Sequence, residues 1–233
     1  MLNKDIILEN YNKVKENIEK ACQNVNREND VTIVAVTKTF SEELIKKCIE
    51  LDIFDVGENR PLELRDKYEI HGEQVNWHMI GHLQRNKVKY IIDKVSLIHS
   101  LDSVRLAKEL NKRAEKNNLV VDCLVQINVV NEDAKFGILK KEVENFLEEI
   151  KDLNHIKIVG LMNMAPFYDD SENARSDFRQ MKILFNKLKK HESEHYEMKH
   201  LSMGMTNDYV VAVEEGSNMV RIGSAIFGQR DYS

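Results

Sequence analysis

The first candidate for chemistry is Lys38, which closely follows the apolar run VTIVAV (31–36). Such a run is typical of a buried strand, and a lysine at its end is partly desolvated. Desolvation lowers the pKa of an amine, and the neutral amine can then attack a carbonyl carbon. The alternative is a lysine whose stem packs at the strand end while its ammonium group reaches water. Position alone leaves both interpretations open.

Two turns near the C-terminus have the residue types of an anion site. The first is Ser202-Met203-Gly204-Met205-Thr206, and the second is Gly223-Ser224. Hydroxyl groups, small residues and backbone N–H groups at the starts of helices bind phosphate and similar anions. The same residues are also common in ordinary turns, so each motif alone is weakly specific. Their joint occurrence near the end of the chain predicts a phosphate site.

Arg221 lies inside an apolar run, MVRIG. A buried guanidinium without a partner is unfavourable, so Arg221 is expected either to pair with a carboxylate such as Glu58 or Glu214, or to point at a ligand. A lysine amine, a phosphate site and an inward arginine together suggest a phosphorylated aldehyde bound through an imine (a Schiff base). Pyridoxal 5′-phosphate (PLP) fits all three features.

Alternating apolar and amphipathic segments predict the scaffold that positions these residues. Eight short apolar runs read as buried strands, at 31–36, 53–57, 76–81, 95–100, 119–129, 156–162, 198–203 and 218–223. Helical patterns lie among them at 41–52, 103–118, 171–191 and 205–215, and an extra amphipathic helix covers about 3–24. Eight strands alternating with helices favour a closed (β/α)8 TIM-type barrel with an extra N-terminal helix. An open doubly wound sheet is the alternative.

Composition excludes several classes of protein. The chain has 233 residues, a net charge of −5 and no break in composition, which favours a single domain over 1–233. Acidic and basic residues are interspersed, so we expect no nucleic-acid partner, and no apolar run approaches the ~20 residues of a membrane span. Three scattered cysteines indicate reduced thiols and a cytoplasmic location. The absence of an obvious apolar patch favours a monomer.

His78 and His82 are the pair of residues whose spacing could suggest a metal site. They are four residues apart, but no HExxH motif accompanies them. The turn expected at Gly81 would also break the helical spacing between them. We therefore predict no metal site.

The chain resembles the YggS/PROSC-type pyridoxal-phosphate homeostasis proteins, whose fold is that of the alanine racemase N-terminal barrel. The motifs that carry the resemblance are AVTKT, VGENR, WHMIGHLQRNKVK, HSLDS, QINVVNEDAKFG, GLMNMAP, LSMGMTND and EEGSNMVRIGSAIFG. The resemblance implies that Lys38 holds the cofactor and that Arg221 faces the pyridine nitrogen. It also implies the remaining cofactor-binding residues, which are Ser202, Gly223 and Ser224 at the phosphate, with Asn59, His82 and Met203 around the same mouth. Thr37 and Phe40 depart from the residues that the family often has there.

Three functions compete on this basis. The first is a PLP-binding protein of vitamin B6 homeostasis that buffers PLP or delivers it to PLP-dependent apo-enzymes, and is not itself an enzyme. The second is a PLP-dependent amino-acid racemase, which needs two bases on opposite faces of the cofactor. Only Lys38 is placed as a base, and the second domain that supplies the other base in alanine racemases is expected to be absent. The third is a Schiff-base aldolase, which lacks the expected acid and base residues. We favour the first.

Overall fold

Eight parallel strands close into a barrel in this computed structural model, which describes residues 3–130, 136–191 and 193–228. The barrel strands are β1 (Thr32–Val36), β2 (Asp55–Glu58), β3 (Asn76–Met79), β4 (Leu97–Leu101), β5 (Val121–Asn128), β7 (Ile156–Asn163), β8 (Tyr196–Ser202) and β9 (Met219–Ile222). Each overlaps one predicted apolar run. The last strand pairs with the first over Thr32–Ala35 and Met219–Ile222. This closure confirms the TIM-type barrel and excludes the open sheet.

One short strand lies outside the barrel ring and was not predicted. It is β6 (Ile138–Leu139), which pairs with the C-terminal end of β5. It follows residues 131–135 of the QINVVNEDAKFG motif, which are outside the described part of the chain. The strand brings Phe136 and Gly137 to the same end of the barrel as the C-terminus of β5.

Helices connect the strands around the outside. Their bounds are α1 (Lys4–Asn24), α2 (Glu42–Glu50), α3 (Pro61–His71), α4 (Val104–Lys116), α5 (Val143–Ile150), α6 (Arg175–Leu188), α7 (Tyr209–Glu214) and α8 (Ser224–Phe227). Short 3-10 turns cover 72–74, 85–90, 140–142, 171–174 and 189–191. The predicted helix 205–215 begins only at Tyr209, because residues 206–208 first form a turn in which the Asp208 N–H donates to the Met205 carbonyl at 3.0 Å. None of the helices in the described ranges is long and apolar enough to cross a membrane.

Alternation along the strands separates two apolar layers. A small cluster fills the barrel interior and is formed by Val34, Val36, Ile80, Leu97, Leu124, Val159, Met162 and Met219. A larger cluster lies between the strands and the helices and contains residues of the opposite parity, such as Ile33 and Ala35 of β1. Inward and outward residues can therefore be assigned for every strand that carries a candidate side chain.

The predicted N-terminal helix is confirmed as α1. Asn3 caps it by accepting a hydrogen bond from the backbone N–H of Asp5. One face, from Ile7 to Cys22, is buried. Its polar side chains reach the last units of the barrel, since Asn17 Nδ2 donates to Tyr209 Oη at 2.8 Å and Asn10 Nδ2 donates to the Ile226 carbonyl at 3.0 Å. This helix therefore supports α7 and α8, which follow the two C-terminal candidate turns.

Candidate functional site

A pocket of about 920 Å³ opens at the C-terminal end of the barrel strands. This is the end at which TIM barrels bind their ligands. The pocket is lined by residues that follow seven of the eight barrel strands, and six of the eight predicted site residues are among them: Lys38, Asn59, His82, Arg221, Gly223 and Ser224. The barrel therefore brings together side chains that are up to 186 positions apart in the sequence.

The structure does not bring Ser202 and Met203 to this pocket. Both are fully buried, with 0% exposure. Met203 has the outward parity of β8 and packs in the layer between strands and helices. Ser202 has the inward parity, but its hydroxyl lies below the pocket, where it contacts Arg221 and His99. This geometry therefore does not favour a direct contact between either residue and a phosphate bound in the pocket.

Lys38 is positioned by a buried ionic cluster behind it. Lys67 Nζ of α3 donates to the Thr37 carbonyl at 2.9 Å, to Glu58 Oε1 at 2.7 Å and to Glu63 Oε1 at 2.8 Å. Lys67 and Glu58 are both buried, with side-chain exposures of 6% and 0%. The carbonyl of the residue immediately before Lys38 is therefore held by Lys67, which Glu58 and Glu63 hold in turn on the outer side of the barrel.

The same cluster fixes both sides of Lys38. Thr37 Oγ1 donates to Glu58 Oε1 at 2.6 Å, and the backbone N–H of Thr39 donates to Glu63 Oε1 at 2.6 Å. Thr39 has a φ of 68°, which is unfavourable for a residue with a branched side chain. Because Thr37 has the outward parity of β1, Lys38 takes the inward parity and lines the pocket. Burial raises the pKa of Glu58 to about 7, and the charge of Lys67 opposes this rise.

Arg221 lines the floor of the pocket and is 4% exposed. Its Nη1 donates to Ser202 Oγ at 2.6 Å, and its Nη2 donates to the Asn163 carbonyl at 2.7 Å. Burial lowers the pKa of Arg221 to about 10, so that the guanidinium stays protonated at neutral pH. It pairs with neither of the two carboxylates considered from the sequence, because Glu58 pairs with Lys67 and Glu214 with Arg175. The second interpretation, an arginine that points at a ligand, is therefore the one that the geometry favours.

Two hydroxyl groups and a tight turn form the other end of the pocket. Thr206, Gly223 and Ser224 all line it. The backbone N–H of Ala225 lies 3.4 Å from Thr206 Oγ1, which joins the two turns. The first turn needs Gly204, since its φ is +94° and a Cβ there would lie 2.6 Å from the Cβ of Ala212. Thr206 belongs to the anion motif predicted from the sequence, but it was not predicted to be a cofactor-binding residue.

His82 forms the opposite wall and is held from two sides. Its Nδ1 is 3.0 Å from Asp102 Oδ2, and its ring stacks on Phe136 with centroids 3.7 Å apart. A Cβ on the preceding residue, Gly81, would lie 2.4 Å from the carbonyl oxygen of Asn59. Only glycine allows this contact, which brings the loops after β2 and β3 together.

His78 and His82 do not form a common site. His78 lies inside the barrel, where it contacts His99 and Asp55, whereas His82 is at the pocket mouth. Among the residues that the structure describes, no three His, Cys, Asp or Glu side chains are grouped as metal ligands would be.

Comparison with known proteins places this barrel in a family. Residues 10–231 match the family model for the alanine racemase N-terminal domain. A relative from Aquifex aeolicus, named pyridoxal phosphate homeostasis protein, is 40% identical over 226 residues, which cover 96% of this chain and 98% of the relative. The chain therefore belongs to the alanine racemase N-terminal domain family, and within it to the pyridoxal phosphate homeostasis proteins.

Two solved structures are similar over nearly the whole chain. A protein of unknown function from Bifidobacterium adolescentis is 29% identical with a TM-score of 0.90, and the match covers 96% of this chain and 95% of that one. PipY from Synechococcus elongatus PCC7942, solved with PLP bound, is 25% identical with a TM-score of 0.82. The match covers 95% of this chain and 100% of PipY. The family resemblance inferred from the sequence motifs is confirmed.

Proposed function

We propose that this protein binds PLP in the pocket at the C-terminal end of the barrel and acts in intracellular PLP homeostasis, by buffering the cofactor or delivering it to PLP-dependent apo-enzymes. The observation that carries the proposal is that Lys38 and the buried Arg221 line one pocket with Thr206 and Ser224. The names of the relatives and the PLP-bound structure of PipY support it.

The chemistry of the donor set fits the three polar parts of PLP. The Lys38 amine would hold the aldehyde carbon covalently. The hydroxyl groups of Thr206 and Ser224, with the backbone at Gly223, would hold the phosphate. Arg221 would donate to the pyridine nitrogen, and Ser202 would act on the cofactor through Arg221 rather than by contact with the phosphate. When bound, PLP supplies an aldehyde and an electron-accepting ring.

The arginine favours storage over catalysis. Because a guanidinium stays protonated, Arg221 would donate a hydrogen bond to the ring nitrogen of PLP and would leave that nitrogen without a proton. A ring nitrogen without its proton withdraws fewer electrons from a bound substrate, which weakens the chemistry of most PLP enzymes. The pocket side chains Lys38 and Arg221 would thus retain the cofactor while giving little help to its reactions.

The test of this proposal compares transfer with turnover. The protein loaded with PLP is incubated with a PLP-dependent apo-enzyme, and the recovered enzyme activity is measured over time. We expect recovery. In parallel, the loaded protein is incubated with single amino acids in deuterated water, and the expected result is negligible exchange of the α-proton. Exchange on the order of 1 per second or faster would contradict the carrier and favour the racemase.

A further inference from the structure

A line of buried polar side chains runs through the barrel interior, from the pocket floor towards the opposite end. It begins at Arg221, whose Nη1 is 2.6 Å from Ser202 Oγ. Ser202 Oγ is 3.1 Å from His99 Nδ1, and His99 Nε2 is 2.9 Å from His78 Nδ1. The line ends where His78 Nε2 is 3.0 Å from Asp55 Oδ1. Ser202 and His99 are 0% exposed and His78 is 4% exposed, whereas the Asp55 side chain is 32% exposed.

With one proton on each imidazole ring, the two ends of the line fix the direction of every hydrogen bond in it. Arginine only donates, so Ser202 Oγ accepts from Arg221 and its own proton goes to the next neighbour in the line, His99 Nδ1. A neutral His99 that accepts at Nδ1 carries its proton on Nε2 and donates it to His78 Nδ1. His78 then carries its proton on Nε2 and donates to the carboxylate of Asp55. All four bonds therefore point from Arg221 to Asp55.

We propose that His99 and His78 are positioning residues for Arg221, and that both are held as the Nε2–H tautomer by this chain of hydrogen bonds. This line of hydrogen bonds turns an oxygen lone pair of Ser202 towards Arg221 and so fixes the plane of the guanidinium beneath the pocket. It also links the buried positive charge to the Asp55 carboxylate at the far end of the barrel. The effect on cofactor binding rests on the proposed function, in which Arg221 faces the ring nitrogen.

The surroundings of His99 are consistent with a neutral ring. Burial, the largest cause, and the charge of Arg221 lower the pKa of His99 well below its ordinary value. A second proton on His99 would also place two N–H donors against Ser202 and His78, and would leave the Ser202 hydroxyl proton without its acceptor in this line. The outer bond, from His78 to Asp55, holds the pKa of Asp55 below its ordinary value even though burial opposes this.

The first experiment measures the tautomers directly in the protein without cofactor. Nitrogen-15 NMR of the histidine side chains assigns the protonated nitrogen of each ring. We expect the proton on Nε2 in both His99 and His78. A proton on Nδ1 of either ring would overturn the proposal, whatever the protein binds.

The second experiment tests positioning with two ligands, PLP and its analogue in which the ring nitrogen is replaced by carbon. His99→Leu removes the acceptor and the donor, and we expect it to weaken PLP binding about ten-fold but binding of the analogue less than about two-fold. His99→Gln keeps one acceptor and one donor, and should restore PLP affinity to within about three-fold of wild type. A matched control is His71→Leu, which removes another buried histidine, bonded to the Glu42 carbonyl outside the barrel.

The outcomes separate this proposal from the proposed function. Equal weakening of both ligands by His99→Leu, or no rescue by Gln, would overturn the positioning role, because a purely structural residue affects both ligands alike. If the wild-type protein bound neither ligand, the proposed function would fail. The tautomer measurement alone would then decide whether the line of hydrogen bonds from Arg221 to Asp55 exists. His71→Leu should leave the ratio of the two affinities unchanged.

Discussion

Replacing Lys67 by methionine tests the cluster that supports Lys38. Lys67→Met keeps most of the side-chain volume but removes the ammonium group that contacts Glu58, Glu63 and the Thr37 carbonyl. The Glu58 carboxylate is then buried without its cation. Removing one partner of a buried ion pair costs about 3–5 kcal/mol in the free energy of unfolding when the remaining group is charged. An exposed pair offers the matched control, since Lys187→Met breaks the Lys187–Glu144 contact and should cost at most about 1 kcal/mol.

The loss should depend on pH, and its sign follows from Glu58. Burial raises the pKa of Glu58 to about 7, and without Lys67 it rises further because the cation no longer opposes the rise. A carboxyl group with a raised pKa stabilises the fold below its unfolded pKa, and this contribution is lost as pH rises through the folded pKa. The wild type loses this contribution as pH rises from the ordinary carboxyl pKa to about 7, whereas Lys67→Met continues to lose it above pH 7. The difference between the two proteins therefore grows above pH 7 by about 1.4 kcal/mol per pH unit.

Urea unfolding at two pH values measures this difference. At pH 5.5, where Glu58 is protonated in both proteins, the variant should lose only about 1–2 kcal/mol from its missing hydrogen bonds. At pH 8.5 the loss should reach about 3–5 kcal/mol. In the Glu58→Gln background this charge is absent, so the loss caused by Lys67→Met, measured against Glu58→Gln alone, should not depend on pH. An equal loss at both pH values would show that the buried charge of Glu58 does not cause the instability of Lys67→Met.

Two further predictions concern the phosphate end of the pocket. Thr206→Val removes one hydroxyl group and should weaken PLP binding about five-fold while leaving pyridoxal, which has no phosphate, unchanged; equal weakening of both ligands in a binding titration would argue against the assignment. Gly204→Ala places a Cβ 2.6 Å from the Cβ of Ala212, so it should lower the free energy of unfolding by about 2–4 kcal/mol, from the overlap and the positive φ. Gly228→Ala, at φ +79° with no atom of the described residues within 4 Å of its Cβ, is the control and should cost only the backbone term, about 1–2 kcal/mol. Similar losses in thermal or urea unfolding of the two variants would contradict the close contact at Gly204.

Strands such as β1, β5 and β7 could be predicted because they are buried on both faces and are therefore apolar over most of their length. The helix α3 was not predicted, because its buried face carries Leu64, Lys67 and His71 instead of an apolar stripe. Polar side chains that are buried against partners distant in the sequence leave no local hydrophobic pattern. The same property hid the partners of Glu58, which was considered as a partner of Arg221 but contacts Lys67 and Thr37.

The pocket residues were predicted better than the layer beneath them. Lys38 and Arg221 are each recognisable as a charged residue in or after an apolar strand. Ser202 points into the barrel, but the sequence does not show its depth along the barrel axis, and it is buried below the residues that line the pocket. His78 and His99 are also polar residues inside apolar runs, so the argument used for Arg221 could have identified them as a buried network.

In the proposed function, Lys38 holds PLP in this pocket. The most direct test is borohydride reduction of the protein loaded with PLP, followed by proteolysis and mass spectrometry of the labelled peptide. We expect the reduced cofactor on Lys38, and we expect Lys38→Ala to lose both the label and the visible absorption of the bound cofactor. A label on another lysine of the wild-type protein, or visible absorption retained by Lys38→Ala, would contradict the account.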